Sequence, residues 1–395
     1  MIYCKKRIRS PVRNMFKARR EGYCPSCGRY IGAADICPYC GARVRTRVSL
    51  KAITVFALLI STIGIGYLYY AAYQAKPPTI LIEDIKPEMN YARVKIVGYV
   101  VTSTVYNEAT RSLYFRLKDI NGTWNAQFAT DTIMVYAYAP TSEELIELEK
   151  LPISGDLVEV VGTLRVRDTI SLIINYPEDL VIKRSEPEEV SIADILANWT
   201  NYLGKAVKVT GWLVEYNDYG DFATGDIKDY AYPNATLSLY IPEPPKRLIG
   251  ELPKMEIGAK YEFIANVWEY RGAPEIIPWN GSSVKLLEPL RFYTLAEILD
   301  HQDEYTTQER IVKVNVTVMD WVSTLPNKLM VNDGTVDVNV TVWIDFDVWD
   351  ALDSATKTKL NTRGTIVILI AKCTEYKGEF ELGVYSTDWI VEVKG

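Results

Sequence analysis

Histidine is almost absent from this 395-residue sequence, in which His301 is the only example. Most histidine-based catalysis and any histidine-rich metal site are therefore excluded. Cysteine is also scarce, because six cysteines are too few for a disulfide framework in a chain of this length. No nucleophile–base pair, phosphate-binding loop or open metal site is visible, so we predict that the protein is not an enzyme.

Acidic charge is rare at the N-terminal end of the chain. Residues 1–51 contain 13 Lys and Arg residues but two acidic ones, whereas the rest of the chain contains 31 basic and 48 acidic residues. A basic head joined to an acidic body indicates that the two parts face different surroundings. The basic segment 1–22 is predicted to lie in the cytoplasm against anionic lipid head groups, and nucleic-acid contact is the alternative.

One long segment lacks charge altogether. The residues from Ala52 to Tyr73 carry no charged side chain, and as a helix they would extend about 33 Å, enough to cross a hydrocarbon core of roughly 30 Å. A buried core helix rarely runs this far without a charge, and a cleaved signal peptide has a shorter apolar stretch. We therefore predict one transmembrane helix, residues 52–73, in the plasma membrane.

Basic residues flank that helix unequally. Arg43, Arg45, Arg47 and Lys51 precede it, whereas Lys76 stands alone after it. The positive-inside rule then places the N-terminus in the cytoplasm and the C-terminal region outside. Glycosylation sequons agree, because they occur only after the helix. The predicted acceptors are Asn121, Asn198, Asn234, Asn280, Asn315 and Asn339.

Four of the six cysteines form two CPxCG knuckles, Cys24-Pro-Ser-Cys27-Gly and Cys37-Pro-Tyr-Cys40-Gly. Four thiolates complete a closed tetrahedral zinc site, which is structural rather than catalytic. A redox pair is the alternative, although one such knuckle would suffice for it. Residues 23–42 resemble the short zinc ribbons of many archaeal and bacterial proteins. The resemblance implies a recognition module, for which we expect a cytoplasmic protein partner.

The region after the helix repeats itself three times. Ile85, Ile195 and Ile298 lie 110 and 103 positions apart, and each ends a similar short segment. A strand of alternating apolar and polar residues follows each of them. The predicted domains are residues 78–184, 187–289 and 291–395.

Each unit follows one plan of strands. In the first unit the pattern predicts strands at 94–100, 113–117, 157–166 and 170–175, with a helix at 142–151. In the second unit it predicts strands at 207–214, 237–241 (as the second strand), 261–270 and 275–277. In the third it predicts strands at 312–318, 329–331, 336–343, 365–376 and 379–384.

Five strands with a helix between the third and fourth is the plan of the OB-fold. The predicted fold class is therefore mainly β, with three tandem OB-like five-stranded barrels after a small zinc ribbon and a single transmembrane helix.

The first unit carries a distinctive opening and hairpin. Residues 82–89 (IEDIKPEM) run into residues 94–98 (VKIVG), and the hairpin motif LKDING spans residues 117–122. These sequence motifs resemble those of the OB domains of archaeal replication protein A and similar single-strand-binding modules. The resemblance covers roughly the first 45 residues of the unit. Residues 331–334 (VNDG) keep a shorter version of the motif, and the second unit lacks it. The resemblance implies OB domains in an archaeal membrane protein.

Charge argues against nucleic acid as the ligand of the outer units. They carry the excess of acidic residues, whereas phosphate binding needs clustered Lys and Arg. We therefore expect a membrane-anchored binding or scaffold protein whose outer barrels recognise an envelope protein or a glycan. Single-strand nucleic-acid binding, through the barrels or the basic ribbon segment, is the alternative.

Three smaller patterns have a structural and a functional interpretation. His301 and Tyr305 match the His-x-x-x-Tyr spacing of OB-fold haem chaperones, but they precede the first strand of their unit, so we expect a chance match. The acidic run at residues 345–350 fits a solvated face better than a Ca²⁺ site. Cys373 lies in an apolar strand and is predicted to be a buried free thiol.

Overall fold

The computed structural model describes residues 22–32, 34–43, 50–74, 76–122, 124–232, 234–322 and 324–394. The chain divides into two compact units, residues 1–76 and 77–395. The predicted basic segment 1–22, apart from Gly22, lies outside the described residues, as do Arg45 and Arg47.

The first unit contains a small ribbon and one long helix. In the ribbon, antiparallel bridges join Tyr23 to Tyr30 and Ile36 to Arg43. Helix α1 spans Leu50–Gln74. By length and composition, its segment from Ala52 to Ala71 can cross a membrane, and none of that segment is buried against described protein. A signal sequence near an N-terminus would meet the same criteria.

The described residues of the second unit form nineteen strands. The first barrel contains β1 (Arg93–Asn107), β2 (Ser112–Asp119), β3 (Thr132–Tyr138), β4 (Leu157–Val166), β5 (Ile170–Ile174) and β6 (Leu180–Lys183). The second contains β7 (Glu188–Glu189), β8 (Ala206–Asp218), β9 (Ala223–Lys228), β10 (Thr236–Ile241), β11 (Lys260–Tyr270), β12 (Ala273–Pro278) and β13 (Val284–Glu288). The third contains β14 (Ile311–Val322), β15 (Leu325–Asn332), β16 (Val340–Ile344), β17 (Ile366–Tyr376), β18 (Glu379–Val384) and β19 (Ile390–Lys394).

Short helices connect these strands. They are α2 (Thr141–Glu147), α3 (Ile192–Asn198), α4 (Leu295–Asp300), α5 (Gln302–Gln308), α6 (Phe346–Ala351) and α7 (Ser354–Leu360). The connection between the third and fourth barrel strands is α2 in the first barrel and the α6–α7 pair in the third. In the second barrel it is a single π-helical turn, Pro244–Leu248.

Each barrel closes in the same way. In the first, the strand order β1-β2-β3-β5-β4 returns to β1, and β3 runs parallel to β5. The same closure joins β8 to β11 in the second barrel and β14 to β17 in the third. This is the five-stranded barrel of the OB-fold, so the predicted fold class is confirmed. A further strand, β6, β13 or β19, pairs outside each barrel; the sequence plan did not include it.

The sequence plan was wrong about the order of strands in the second unit. Residues 237–241 lie in β10, the third barrel strand, and the second strand is β9. The segment Ala223–Lys228 (ATGDIK) was missed because it contains Gly and Asp, which are depleted in strands, and one β-branched apolar residue. Its neighbours in the barrel, rather than its own propensity, make it a strand.

The acidic residue of the hairpin motif has a structural role. Asp119 Oδ2 accepts a hydrogen bond of 2.6 Å from the backbone N–H of Ile82, at the start of the helical turn that opens the unit. In the third barrel, Asp333 Oδ2 accepts one of 2.7 Å from the N–H of Leu295, in the first turn of α4. The motif therefore fixes the opening segment onto the barrel and carries no information about a ligand.

The three barrel cores are connected across their boundaries. Ile249 of the second barrel is buried within the core cluster of the first. Val214 and Ile257 of the second barrel pack against the cluster of the third. Apolar contacts therefore run through both boundaries, which favours a fixed arrangement of the barrels.

A buried polar network joins the first barrel to the second. The carboxylate of Asp156 accepts two hydrogen bonds of 2.7 Å from Arg184 and one of 2.8 Å from Asn266. Trp279 donates to the side-chain oxygen of Asn266 at 2.8 Å, and its ring lies 5.0 Å from the Arg184 guanidinium. Because each member is partnered, the network gives this boundary a defined geometry.

Aromatic rings surround one cation at the boundary between the second and third barrels. The Arg310 guanidinium lies 5.4 Å from the Trp212 ring, 5.2 Å from Tyr230 and 4.6 Å from Tyr305. The Tyr230 hydroxyl accepts a hydrogen bond of 3.2 Å from the backbone N–H of Ile311. Cation–π contacts of this kind depend on the position of every ring.

Candidate ligand-binding groove and metal centre

The two knuckles bring the four predicted cysteines together. The sulfur atoms of Cys24, Cys27, Cys37 and Cys40 all lie within 4.8 Å of one another. The Sγ–Sγ distance is 3.6 Å both for Cys24–Cys40 and for Cys27–Cys37. A tetrahedron with metal–sulfur bonds of about 2.3 Å has edges of about 3.8 Å, so the arrangement matches a four-sulfur metal site.

Each knuckle is a tight backbone turn that begins at its first cysteine and ends at a glycine. Gly28 and Gly41 adopt φ values of 73° and 67°, which glycine tolerates best. Their N–H groups donate to the carbonyls of Cys24 and Cys37, each at 2.9 Å. Hydrogen bonding from the backbone of Cys27 is the main cause that lowers the pKa of the Cys24 thiol to about 6. In the same cluster a backbone hydrogen bond from Ala42 lowers the pKa of Cys40, but side-chain hydrogen bonding to Cys37 and burial outweigh it and raise that pKa to about 12. Of these two thiols it is Cys24 that favours the thiolate, the metal-binding form.

The donor set defines the kind of metal the site would hold. Four sulfur ligands without an open position suit zinc or iron in a structural role. The clustering predicted from the CPxCG spacing is confirmed, and zinc stays a prediction.

A groove that could hold a ligand lies on the second barrel. Its volume is about 670 Å³, within the range of ligand pockets. Strands β8, β9, β10, β11 and β12 form its floor and one wall. The first barrel adds residues 101–103, where β1 has a register shift, and Ser154. Asn266 of the boundary network donates to the carbonyl of Ser154 at 3.3 Å, which connects that network to the groove lining.

Acidic and aromatic side chains dominate the groove lining. The acidic ones are Glu215, Asp226, Glu269 and Glu275, and the aromatic ones are Phe222, Tyr240, Trp268 and Tyr270. None of the described residues that line the groove is Lys, Arg or His. The groove therefore presents negative charge to any ligand.

Burial changes the acidity of two groove carboxyls. It raises the pKa of Glu275 from 4.5 to about 7. Burial also raises the pKa of Asp226, whereas a hydrogen bond from Ser238 opposes that rise. Both carboxylates are thus partly removed from water, and an opposite charge brought beside them would stabilise their ionised forms.

The groove was missed in the sequence because two of its acidic residues lie on strands of uncertain assignment. Asp226 belongs to the unrecognised strand β9, and Glu275 lies in the short strand β12, which the sequence pattern indicates only as part of a closing hairpin. A row of side chains across strands becomes visible only when the register is known. The one signal in the sequence for this strand was that Asp226 lies between residues that are buried in the structure.

The predicted glycosylation sites lie on the surface of the barrels. Asn121, Asn198, Asn234, Asn315 and Asn339 are exposed. Asn280 is half-buried, and its side-chain oxygen accepts a hydrogen bond of 2.8 Å from the N–H of Ser283. Exposure is required of an acceptor, and whether these sites are used stays a prediction.

The His-x-x-x-Tyr spacing and the acidic run at residues 345–350 both have structural roles. His301 is exposed and stacks on Tyr305, which is buried and lies under Arg310. Asp345 caps α6 by accepting from the N–H of Asp347 at 3.0 Å.

Cys373 is fully buried with a free thiol, as predicted. Burial raises the pKa of this thiol to about 12. It therefore remains protonated and unreactive.

Strand order and the cysteine cluster together define a tandem OB-fold protein with an N-terminal four-cysteine ribbon. No protein-family model matches the sequence, and no curated protein matches it significantly.

Solved OB-fold structures align with parts of the chain. The OB domain of a Methanosarcina mazei protein is similar at 21% identity, covering 27% of this chain and 90% of that one, with a TM-score of 0.21. A replication protein A heterotrimer bound to single-stranded DNA is similar at 10% identity, covering 80% and 95%, with a TM-score of 0.23. An OBody bound to hen egg-white lysozyme is similar at 16% identity, covering 28% and 98%, with a TM-score of 0.22. At these scores the alignments say nothing about the ligand, and the assignment of the barrels rests on strand order.

Proposed function

We propose that this chain is a single-pass membrane-anchored binding protein whose outer barrels recognise an envelope protein or a glycan. The observation that carries the proposal is the acidic, aromatic groove of the second barrel. Its carboxylates repel a phosphate backbone, whereas its aromatic rings offer apolar contact to peptides and sugars. Binding rather than catalysis is the proposed activity.

Membrane anchoring is supported by helix α1 and by the charges around it. The helix exposes large apolar side chains such as Phe56, Leu58 and Ile63, each more than 60% exposed. Such a surface needs a lipid environment or a partner to cover it. The unequal basic flanks and the sequons then favour a cytoplasmic ribbon and extracytoplasmic barrels.

Protease accessibility tests this topology. We expect protease added to intact cells to degrade the barrels and to leave the ribbon with α1 protected. Protection of the barrels until the membrane is permeabilised would contradict the proposed orientation. Loss of the protein from the membrane fraction in an alkaline wash would contradict the anchor.

The ribbon is proposed to hold one zinc ion and to contact a cytoplasmic protein. Tyr30, Ile36 and Tyr39 are exposed on this small module, and Arg29 lies 5.0 Å from the Tyr39 ring. Aromatic and arginine side chains of this kind are enriched at protein interfaces. A pull-down from membranes with Tyr39→Ala as the matched control identifies partners that need this surface.

Nucleic-acid binding is a second candidate because of the first barrel. Tyr114, Tyr136 and Tyr138 lie side by side on β2 and β3, with Arg116 exposed beside them. Bases stack on such rings, but the neighbouring Lys118 is already paired with Asp131 at 3.1 Å. One unpaired cation is a weak platform for a phosphate backbone.

Salt-titrated binding of single-stranded DNA separates the two candidates. Residues 78–395 hold all three closed barrels and their cores, so this fragment can be compared with residues 1–48. We expect salt-sensitive binding, where present, to reside in residues 1–48. Salt-sensitive micromolar binding by residues 78–395 would favour the second candidate.

A further inference from the structure

Three groove carboxylates stand in one row across the second barrel. Glu215 pairs with Asp226 across β8 and β9, and Asp226 pairs with Ser238 across β9 and β10. Ser238 then pairs with Glu275, and Glu275 with Trp268. Neighbouring strands lie about 4.8 Å apart, so Asp226 and Glu275 stand about 10 Å apart on either side of Ser238. That interval accommodates one ligand group between two carboxylates.

No cation among the described residues pairs with the row of carboxylates. In the described part of the chain, none of Glu215, Asp226, Glu269 and Glu275 forms an ion pair, although other acidic residues of the barrels do. Ser238 donates to Asp226 at 3.1 Å, and Asn217 donates to Glu215 at 2.9 Å. Neutral donors of this kind leave the repulsion between Glu215 and Asp226 in place and leave the buried Glu275 without a charged partner. A ligand cation would favour the ionised form of all three.

The aromatic walls distinguish an organic cation from a metal ion. Divalent cations such as Ca²⁺ take six to eight oxygen ligands in a compact cage. Here Tyr240, Trp268 and Tyr270 share the lining with the carboxylates, and ring faces attract ammonium and guanidinium groups. At the groove edge the protein's own Arg271 lies 5.0 Å from the Tyr270 ring.

We propose that the groove between the first and second barrels binds a basic segment of a partner protein, with a lysine or arginine side chain held between Asp226 and Glu275. The apolar stem of that side chain packs on Trp268, and Glu215 and Glu269 attract neighbouring basic residues. This proposal rests on the proposed binding function and names the chemical class of its partner. Charge complementarity favours a basic peptide over a neutral glycan, because a glycan would leave the row of carboxylates unpaired.

Peptide binding to the full-length protein in lipid nanodiscs tests the proposal. The probe is a fluorescent octapeptide of alternating lysine and glycine, with alternating serine and glycine as the neutral comparison. We expect the lysine peptide to bind, and the triple variant Glu215→Gln, Asp226→Asn, Glu275→Gln to weaken that binding at least tenfold. Trp268→Leu should weaken it about threefold, because the stem loses its aromatic contact.

A matched control separates the groove from the overall charge of the protein. The variant Glu147→Gln, Asp168→Asn, Asp337→Asn removes the same charge from exposed positions outside the groove. It should change peptide affinity less than twofold. Arg271→Ala removes a competing cation at the groove edge and should tighten binding about twofold. A cooperative thermal unfolding transition, at or above the temperature of the wild-type protein, establishes that each variant is folded.

Several outcomes would overturn the proposal. One is an equal loss of affinity in both triple variants, which would indicate non-specific attraction. Another is binding of a neutral oligosaccharide that Trp268→Leu abolishes, with no binding of the lysine peptide; this outcome would leave the proposed binding function intact. Salt-sensitive binding of single-stranded DNA by residues 78–395 would overturn the proposed function itself.

Discussion

Among the described residues of the ribbon, 22–43, the buried side chains are those of Cys24 and Cys37, and the others are half-buried or exposed. Each barrel, in contrast, closes around a cluster of 19 to 24 buried residues. The ribbon therefore has little apolar surface with which to offset the entropy of folding, whereas a barrel has a core of its own. We therefore expect a single bound ion to determine whether the ribbon folds, whereas many buried apolar side chains together stabilise each barrel.

Removal of the metal is the strongest way to test this comparison. Structural zinc contributes about 10–16 kcal/mol to the folding of isolated fingers near pH 7, so a chelator should unfold residues 22–43 completely. The barrels should keep their unfolding transition, because none of their cores includes the ribbon. Amide NMR signals of the ribbon, recorded with and without chelator, measure the first effect, and calorimetry measures the second.

Substitution of the cysteines gives the same test without a chelator. In elemental analysis we expect one equivalent of zinc in the wild-type protein and none in the Cys24→Ser protein. Cys373→Ser is the matched control, because that thiol is buried in the third barrel and should leave the zinc content unchanged. Full zinc content in the Cys24→Ser protein would show that another ligand set holds the metal.

Outside the ribbon, we expect the largest loss of stability from a single substitution at Asp156, on the boundary between the first two barrels. The Asp156 side chain is 0% exposed and that of Arg184 is 20% exposed. Asp156→Ala would leave Arg184 without its acceptor and Asn266 with the Ser154 carbonyl alone, and breaking a buried pair in this way costs about 3–5 kcal/mol. Urea unfolding should show that loss, together with separate transitions for the first barrel and the rest.

An exposed ion pair is the control for that substitution. Lys118 and Asp131 are 42% and 38% exposed, so Asp131→Ala should cost less than about 1 kcal/mol. If both substitutions had equal effects, the barrels would not depend on the buried network, and the groove beside it would lack a fixed shape.

The features of the structure that the sequence predicted are those whose residues lie close together in the chain. The CPxCG spacing fixes which cysteines meet, because each pair lies on one turn. The repeated segments ending at Ile85, Ile195 and Ile298 mark the barrels, since all three isoleucines are buried at the same point of the fold. Local spacing within a short segment was enough for both.

The groove lay beyond the sequence because its members are far apart in the chain. Glu215, Asp226 and Glu275 meet only through the register of four strands, and one of those strands, β9, has little intrinsic propensity. The boundary network has the same origin, since Asp156 and Asn266 are separated by 110 positions. Contacts between distant strands follow from tertiary packing, which no local pattern specifies.

The groove is also a place where the barrels lose stability. The pKa of Glu275 rises from 4.5 in the unfolded chain to about 7 in the folded protein. A raised pKa of this kind contributes stability below pH 4.5, and that contribution disappears as the pH rises through 7. The free energy of unfolding should therefore decrease between pH 4.5 and 8, by at most about 3 kcal/mol from this residue.

Glu275→Gln should remove that part of the pH dependence and stabilise the barrels at pH 8. Urea unfolding at pH 5 and pH 8 measures both effects. Glu269→Gln removes an exposed carboxylate from the same groove and should leave the profile of the wild-type protein. A steeper decrease in the Glu275→Gln protein would contradict the assignment of this pH dependence.

The smallest expected effect concerns Arg310, which lies among aromatic rings between the second and third barrels. Arg310→Gln removes the cation but keeps a polar side chain, so the loss should be about 1–2 kcal/mol, as for partly buried cation–π contacts. Arg271→Gln is the control, because Arg271 is exposed over a single ring and should contribute less than about 0.5 kcal/mol. Urea unfolding of the two variants measures the difference. A loss above about 4 kcal/mol at Arg310 would mean that one residue stabilises this boundary, as one zinc ion is predicted to stabilise the ribbon. The contrast between the ribbon and the barrels would then fail at the third barrel.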